Sequence, residues 1–161
     1  MERRAQEGAD GLVIREARES DVPAIVALFA SDALGGHGDT TDPAAYDDYL
    51  AAFRRIAASA GDTLYVAELD AQVVGTFQTT FITSMTGRGG TSMTIEAVQT
   101  REDMRGKGIG ATMIAYAVEV ARTSGARLVQ LMSNAQRDRA HHFYERLGFA
   151  RSHVGFKMKL K

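Results

Sequence analysis

Residues 105–110 form a glycine-rich turn whose spacing could bind an anion. They read Arg-Gly-Lys-Gly-Ile-Gly, and they lie between a strand-like run and a helical pattern. Glycine allows positive φ and lets the backbone come close to a ligand. The free N–H groups of a helix's first turn, together with the helix dipole, favour negative charge at that point. The turn therefore predicts a phosphate site, and in particular a pyrophosphate site.

Two other phosphate-binding motifs do not fit this turn. The dinucleotide fingerprint needs G-x-G-x-x-G, whereas this chain has G-x-G-x-G late in its sequence. The phosphate loop of nucleoside triphosphatases needs a serine or threonine after its lysine, but Lys107 is followed by Gly108. A flexible surface turn without a ligand stays open as an alternative at this point.

The elements around the turn predict an α/β fold. Residues 91–133 read as strand, helix and strand, which predicts a parallel crossover, and the hairpins on either side should pair antiparallel. Asp42 followed by Pro43 is a helix start. The predicted strands are residues 12–17, 63–69, 72–83, 91–100, 127–133 and a final hairpin over 149–160. The predicted helices are residues 20–30, 43–60, 109–124 and 137–146.

The composition bounds the class of protein. A chain of 161 residues is expected to form one domain, and 45% hydrophobic with 24% charged residues is ordinary for a globular protein. The net charge of −1 favours neither nucleic acid nor a membrane surface as a partner, and the absence of cysteine excludes thiol chemistry. Without a signal peptide or an apolar run of about 20 residues, we expect a cytoplasmic protein. We divide it into a flexible tail over residues 1–10 and a domain over 11–161.

The chain resembles the GNAT superfamily of N-acetyltransferases. Residues 105–110 match that family's [RQ]-x-x-G-x-[GA] signature, and residues 143–149, Phe-Tyr-Glu-Arg-Leu-Gly-Phe, look like its second motif about forty residues later. The resemblance covers about residues 12–160. It implies a single-domain mixed sheet of six to seven strands, mostly antiparallel with a central parallel pair, flanked by about four helices.

The resemblance also implies acetyl-coenzyme A as co-substrate. Its pyrophosphate would rest on the glycine turn, and its pantetheine arm would fill a wedge opened by a β-bulge in the strand before the turn. The implied cofactor-binding residues are Val98, Thr100, Arg105, Gly106, Lys107, Gly108, Ile109, Gly110, Ala111, Asn134 and Tyr144. Arg105 could instead be a solvated side chain, and Asn134 could be a turn or helix-cap residue.

Two residues are the candidates for acid–base catalysis. Tyr144 matches the family tyrosine aimed at the coenzyme A sulfur, and a phenol suits protonation of a leaving thiolate. Glu96 interrupts a largely apolar or neutral strand, where a carboxylate is costly without a function or a partner. We expect Glu96 to be the general base. The alternatives are a core role for Tyr144, and for Glu96 an ion pair with a cation such as Arg101 or the orientation of the amine.

The histidines and the acidic residues form no convincing metal site. His141 and His142 are expected on an exposed helix surface, and His37 lies in a loop that shapes the acceptor site in the family. His153 is a further weak candidate.

The sequence therefore predicts an N-acetyltransferase that moves an acetyl group from acetyl-coenzyme A to a primary amine of a small molecule by direct attack in a ternary complex. The alternatives are a protein or peptide acceptor and a non-catalytic acyl-coenzyme A sensor. We expect no metal, no nucleic acid and no membrane partner, and a homodimer is left open. Residues 31–49 and 81–91 should shape the acceptor pocket.

Overall fold

The computed structural model describes residues 6–7, 11–35 and 37–161 of the chain. Within them, alternating apolar patterns form a six-stranded sheet with helices on its two faces. The strands are β1 (Gln6–Glu7), β2 (Val13–Glu16), β3 (Asp62–Leu69), β4 (Gln72–Thr83), β5 (Thr91–Thr100) and β6 (Leu128–Leu131). The helices are α1 (Val22–Ala30), α2 (Tyr46–Ala57), α3 (Thr86–Gly89), α4 (Ile109–Thr123) and α5 (Asp138–Arg146).

The strands lie in the sheet in the order in which they occur in the chain. Each of the first five pairs antiparallel with its neighbour, and β6 pairs parallel with β5. This confirms the mixed α/β fold, but the parallel pair lies at the edge of the sheet rather than at its centre. Among the described residues five helices are present, because the four residues before β5 form the short segment α3, in which Gly87 and Arg88 have positive φ.

The predicted hairpin over residues 149–160 is wrong. No strand is assigned after β6 among the described residues, and residues 150–161 are all exposed. The alternating pattern that predicted the hairpin is present in the sequence, but a strand also needs a partner to accept its backbone hydrogen bonds.

The residues predicted to start α2 and to form the turn between β3 and β4 do so in the structure. Asp42 accepts a hydrogen bond from the Ala44 N–H at 2.9 Å, which starts the 3-10 turn that leads into α2. Asp70 and Ala71 both have positive φ, as the two-residue turn between β3 and β4 requires. At the N-terminus, β1 pairs with β2, whereas residues 1–5 and 8–10 of the predicted tail lie outside the described residues.

The core lies between the sheet and α4. Tyr65 and Phe77 stack with ring centroids 4.9 Å apart, and Tyr116 of α4 packs edge-on against both. Met113 fills the space beside them and is fully buried. Because this face anchors α4 to β3 and β4, the N-terminus of α4 has a defined position at the carboxyl end of β5.

Candidate active site

The glycine turn joins β5 to α4 and ends in an uncapped helix N-terminus. Gly106 and Gly108 have φ of +74° and +81°, a conformation that favours glycine. The first intrahelical bond of α4 runs from the Thr112 N–H to the Gly108 carbonyl at 3.0 Å. The N–H groups of the three residues before Thr112 therefore have no acceptor within the helix. The sequence predicted that a pyrophosphate would rest on the N–H groups of residues 106–110, and Ile109 and Gly110 are among these free donors.

A β-bulge interrupts β5 just before this turn. Ala97 and Val98 together lie opposite Phe77 of β4, and the register of the two strands shifts at this point. Ala97 has φ of +52°, which is uncommon for a residue other than glycine. A bulge turns the strand and increases its twist, so it redirects the residues that follow it.

Beyond the bulge, β5 no longer pairs with β6. The parallel ladder begins at Ser92 opposite Leu128 and ends at Ile95 opposite Leu131. Val98 and Thr100 therefore lie on a stretch of β5 that has no paired strand on the β6 side, and we call this unpaired region the gap. The gap leads to the N-terminus of α4, so an extended amide-containing ligand could pair with β5 while its phosphates reached the glycine turn.

The two basic residues of the turn have different surroundings. Arg105 donates through Nε to the Thr100 carbonyl at 3.3 Å, so its side chain ties the turn to the end of β5. Lys107 is exposed, and its Nζ lies 3.7 Å from the Met104 sulfur. Arg105 is thus placed to shape the loop, and Lys107 is free to approach a phosphate.

Helix α5 packs directly on the start of α4. A Cβ built on Gly110 would lie 3.2 Å from Cζ of Phe143, whereas Cβ atoms built on Gly106 and Gly108 would meet nothing within 4 Å. The absence of a side chain at Gly110 thus lets Phe143 of α5 pack closely on α4. This contact fixes the position of Tyr144, the next residue of α5, relative to the start of α4.

Tyr144 lies in an aromatic cluster. Its ring is edge-on to Phe143 and Phe149, with centroids at 5.1 and 5.9 Å. Burial raises the pKa of Tyr144 above its usual value, and the nearby Arg137 charge opposes this only in part. The phenol therefore keeps its proton at neutral pH and remains a potential proton donor.

Glu96 is the last residue of β5 before the bulge, and its side chain is exposed. It lies opposite Gln78 of β4, so the two side chains are on the same face of the sheet. Arg101, the cation considered as a partner for Glu96, instead donates to Asp103 at 2.7 and 3.1 Å. Glu96 is thus left accessible on an open face.

The same face carries a row of polar side chains on the neighbouring strands. Thr94 lies between Thr80 of β4 and Gln130 of β6 in the register. Gln130 donates to Thr94 at 3.1 Å, and Thr80 donates to Asp62 at 2.6 Å. We call the surface formed by Gln78, Thr80, Thr94, Glu96 and Gln130 the acceptor face. It could bind a polar amine next to the Glu96 carboxylate.

A partly buried ion pair at this site was not predicted from the sequence. Asp32, in the loop after α1, accepts hydrogen bonds from Arg137 at 2.6 Å and from Gln99 at 2.7 Å. Burial alone would raise the pKa of Asp32, but these two hydrogen bonds outweigh it and hold the pKa below its usual value. The carboxylate thus links the end of β5 to the segment before α5. Asp32 and Arg137 are 105 residues apart in the sequence, so no local pattern could have predicted this contact.

Asn134 lies in the turn before α5 and contacts His141 of that helix. The Asn134 side chain accepts a hydrogen bond from the Gln136 N–H at 2.9 Å. The backbone carbonyl of Asn134 lies 2.9 Å from Nε2 of His141. The Asn134 side chain thus stabilises a turn, which is the alternative that the sequence analysis left open for this residue. His141 is half-buried, so its predicted surface position is wrong, whereas His142 is exposed as expected.

The remaining histidines are distant from these contacts in the sequence and lie on the surface. His37 and His153 are exposed, and Nδ1 of His153 lies 2.7 Å from the Ser152 hydroxyl. Within the described part of the chain, no three His, Asp or Glu side chains are placed to hold a metal ion. No helix in residues 6–7, 11–35 and 37–161 is long and apolar enough to cross a membrane.

Comparison with known proteins finds a matching family model and solved structures that are similar over most of the chain. A family model described as the acetyltransferase (GNAT) family matches residues 22–149. A solved structure described as a transcriptional regulator from Bacillus halodurans C-125 is 38% identical, with a TM-score of 0.89, over 92% of this chain and 99% of that chain. An acetyltransferase from Trypanosoma brucei is 25% identical, with a TM-score of 0.76, over 92% of this chain and 99% of that chain.

Among curated proteins, an aminoalkylphosphonate N-acetyltransferase of Salmonella typhimurium is 46% identical over 57 residues. That match covers 35% of this chain and 37% of the relative, so it spans little more than a third of either protein. It is local in extent, whereas the structural matches extend over nearly the whole chain.

Proposed function

The chain belongs to the acetyltransferase (GNAT) family, and from this we propose that it transfers an acetyl group from acetyl-coenzyme A to the primary amine of a small molecule. The amine attacks the thioester directly in a ternary complex. The C–N bond forms as the C–S bond breaks, the amine loses a proton, and the leaving thiolate gains one.

The observation that carries this proposal is the gap between β5 and β6. It opens after Ile95 and Leu131, directly beside the bulge at Ala97, and it leads to the N-terminus of α4. The pantetheine amides would pair with β5 at Val98 and Thr100. The pyrophosphate would take the free N–H groups of Gly108 to Ala111, where the helix dipole favours negative charge.

The two catalytic roles rest on the surroundings of Glu96 and Tyr144. Glu96 is exposed on the acceptor face and would take the proton of the attacking amine, directly or through water. Tyr144 keeps its proton because burial raises its pKa, so it would donate that proton to the coenzyme A sulfur. Backbone N–H groups near Val98 would stabilise the oxyanion. Side-by-side binding of the two substrates would supply much of the rate acceleration.

The acceptor face supports a small polar amine. It combines one carboxylate with hydroxyl and amide groups, and such groups can orient an ammonium and polar substituents around it. The Salmonella relative is named for a small acceptor, an aminoalkylphosphonate. This local similarity favours a small acceptor that carries an amine and a second polar group, as an aminoalkylphosphonate does, over a protein acceptor.

A direct test measures coenzyme A release with a thiol reagent across aminoalkylphosphonates, amino acids, aminoglycosides and lysine peptides. The proposal predicts release with at least one small amine, and a mass increase of that amine by one acetyl group. Release only with peptides would support the protein-directed alternative.

The sensor alternative is kept because the Bacillus relative is described as a transcriptional regulator. A sensor would bind acetyl-coenzyme A without turnover. Thermal stabilisation by acetyl-coenzyme A, with no coenzyme A release for any amine tested, would favour the sensor over the enzyme.

A further inference from the structure

A single carboxylate oxygen joins three segments of the candidate active site. Oδ2 of Asp32 accepts hydrogen bonds from Nη2 of Arg137 at 2.6 Å and from Nε2 of Gln99 at 2.7 Å. Asp32 lies in the loop after α1, Gln99 lies at the end of β5, and Arg137 is the residue before α5. This oxygen therefore fixes the separation between that loop, the strand beside the gap and the helix that carries Tyr144.

The loop after α1 also fixes the carboxylate from its own side. The Leu34 N–H donates to the Asp32 carboxylate, and the Gly35 N–H donates to the Asp32 carbonyl at 3.1 Å. A Cβ built on Gly35 would lie 2.8 Å from Oδ2 of Asp32, so the loop closes directly over the ion pair. Only 13% of the Asp32 side chain and 26% of the Arg137 side chain are exposed. Because water is largely excluded, the attraction between the two charges exceeds that of a surface pair.

Helix α5 is shallowly packed, so its position depends on individual contacts. None of its residues is fully buried, and Phe143 packs on Gly110 in the second half of the helix. Arg137 is the N-cap residue, and its carbonyl accepts a hydrogen bond from the His141 N–H at 3.0 Å in the first turn. The ion pair with Asp32 therefore anchors the helix at its start.

Arg137 and Tyr144 share one face of α5. They are seven residues apart, which is close to two turns of an α-helix, and residues at this spacing lie on the same side. Burial raises the pKa of Tyr144, and the positive charge of Arg137 opposes that effect. A shift of the Arg137 guanidinium would therefore change both the position of the phenol and the charge near it.

We infer that Asp32 is a positioning residue for acetyl transfer, which acts through Arg137 and Gln99 to hold Tyr144 against the end of β5. The inference rests on the proposed function, in which Tyr144 donates a proton to the coenzyme A sulfur while the pantetheine arm pairs with β5. That step needs the phenol and the strand at a fixed separation, since a displacement of about 1 Å can cost about 10²-fold in rate. Asp32 itself contacts neither substrate and transfers no proton.

A double-mutant cycle with Tyr144 tests this role. Asp32→Asn removes the charge and keeps the shape of the side chain, so it should lower the turnover number by about 10–10²-fold, without a comparable loss of acetyl-coenzyme A affinity. If Asp32 acts through the phenol, Asp32→Asn combined with Tyr144→Phe should be no slower than Tyr144→Phe alone. Losses that multiply in the double variant would overturn the inference, because they would show that the two residues act independently.

Asp21→Asn is the matched control. Asp21 also accepts short hydrogen bonds from an arginine, Arg15 of β2, at 2.7 and 2.9 Å, and its side chain is 9% exposed. Its substitution should reduce stability but leave the turnover number of the folded protein at the parental value.

Gly35→Ala is a second variant that keeps every charge and displaces the Asp32 carboxylate by contact. It should lower the turnover number in the same way, and it takes the place of Asp32→Asn in the cycle where that variant does not fold. Parental turnover in the folded Asp32 or Gly35 variant would overturn the inference.

Hydrogen exchange distinguishes failure of this inference from failure of the proposed function. A parent that releases no coenzyme A with any amine would contradict the proposed function, whereas an active parent with unaffected Asp32 variants would contradict the inference alone. Independently of acetyl transfer, Asp32→Asn should speed amide exchange over residues 141–147 of the helix and its end, because local opening becomes easier. Asp21→Asn should leave that exchange at the parental rate. Equal exchange over residues 141–147 in the two variants would overturn the inference.

Discussion

Substitution of Gly108 in the glycine turn has a matched control, because Gly125 lies at the other end of the same helix in the same backbone conformation. Gly108 precedes α4 with φ of +81°, and Gly125 follows it with φ of +77°. A Cβ at either position would meet nothing within 4 Å. Gly108→Asp and Gly125→Asp therefore impose the same backbone strain without a clash. Only the first would place a carboxylate beside the predicted pyrophosphate.

The expected loss of stability is similar in the two variants before ligand is added. A left-handed residue other than glycine costs about 1–2 kcal/mol. At roughly 2–4 °C per kcal/mol for a chain of this size, the melting temperature should fall by about 2–8 °C. Asp is favourable at a helix N-terminus and unfavourable at a C-terminus, so Gly108→Asp should lie at the smaller end of that range.

The response to acetyl-coenzyme A should separate the two variants. At a ligand concentration of about 100 Kd, binding stabilises the native state by about 2.7 kcal/mol, which corresponds to about 5–11 °C. A carboxylate about 5 Å from one phosphate charge costs about 3 kcal/mol at an effective dielectric constant of about 20. Affinity should then fall by about 10²-fold, and the thermal shift of Gly108→Asp should shrink to about 1 °C.

A thermal-shift titration of the parent and both variants checks this prediction, with calorimetry for the dissociation constants. Gly125→Asp should keep the shift of the parent. The reasoning about the glycine turn is refuted if Gly108→Asp responds to acetyl-coenzyme A as fully as Gly125→Asp does. Equal loss in both variants would instead attribute the effect to the stability of α4.

The remaining predictions concern the acid–base pair and one ion pair of the fold. Tyr144→Phe should lower the turnover number by about 10²–10⁴-fold with unchanged acetyl-coenzyme A affinity; near-parental turnover in a folded variant would remove the general-acid role. Glu96→Gln should lower turnover at neutral pH and recover in part at higher pH, so an unaltered acid limb of the pH–rate profile would exclude Glu96 as base. Asp21 accepts two hydrogen bonds from Arg15 at 2.7 and 2.9 Å. Burial would raise its pKa, but the hydrogen bonds from Arg15 and from the Arg18 N–H, together with the charges of both arginines, outweigh burial and lower the pKa. A lowered folded-state pKa stabilises the protein above the unfolded value of about 3.9 and is lost as pH falls through the folded value. Asp21→Asn should therefore cost about 1–3 kcal/mol at pH 7 and weaken the acid dependence of the melting temperature below about pH 4.

Local patterns determined most of the elements and the position of the candidate site. The glycine turn, the strand before it and the helix after it are contiguous in sequence, so their order alone places an uncapped helix N-terminus at the end of β5. β4, β5 and α4 occur where the periodicity predicted them, because each has a long apolar repeat. Phe143 and Tyr144 were identified from a short motif on a short helix.

The tertiary structure alone decided the contacts between segments that are distant in sequence. The Asp32 carboxylate meets Arg137 and Gln99 only because the loop after α1, the end of β5 and the start of α5 converge in space. The same applies to the edge position of the parallel pair and to Gly110, whose missing side chain admits Phe143. The alternating tail was predicted to be a hairpin, but pairing depends on which edge is available, and periodicity carries no information about that partner.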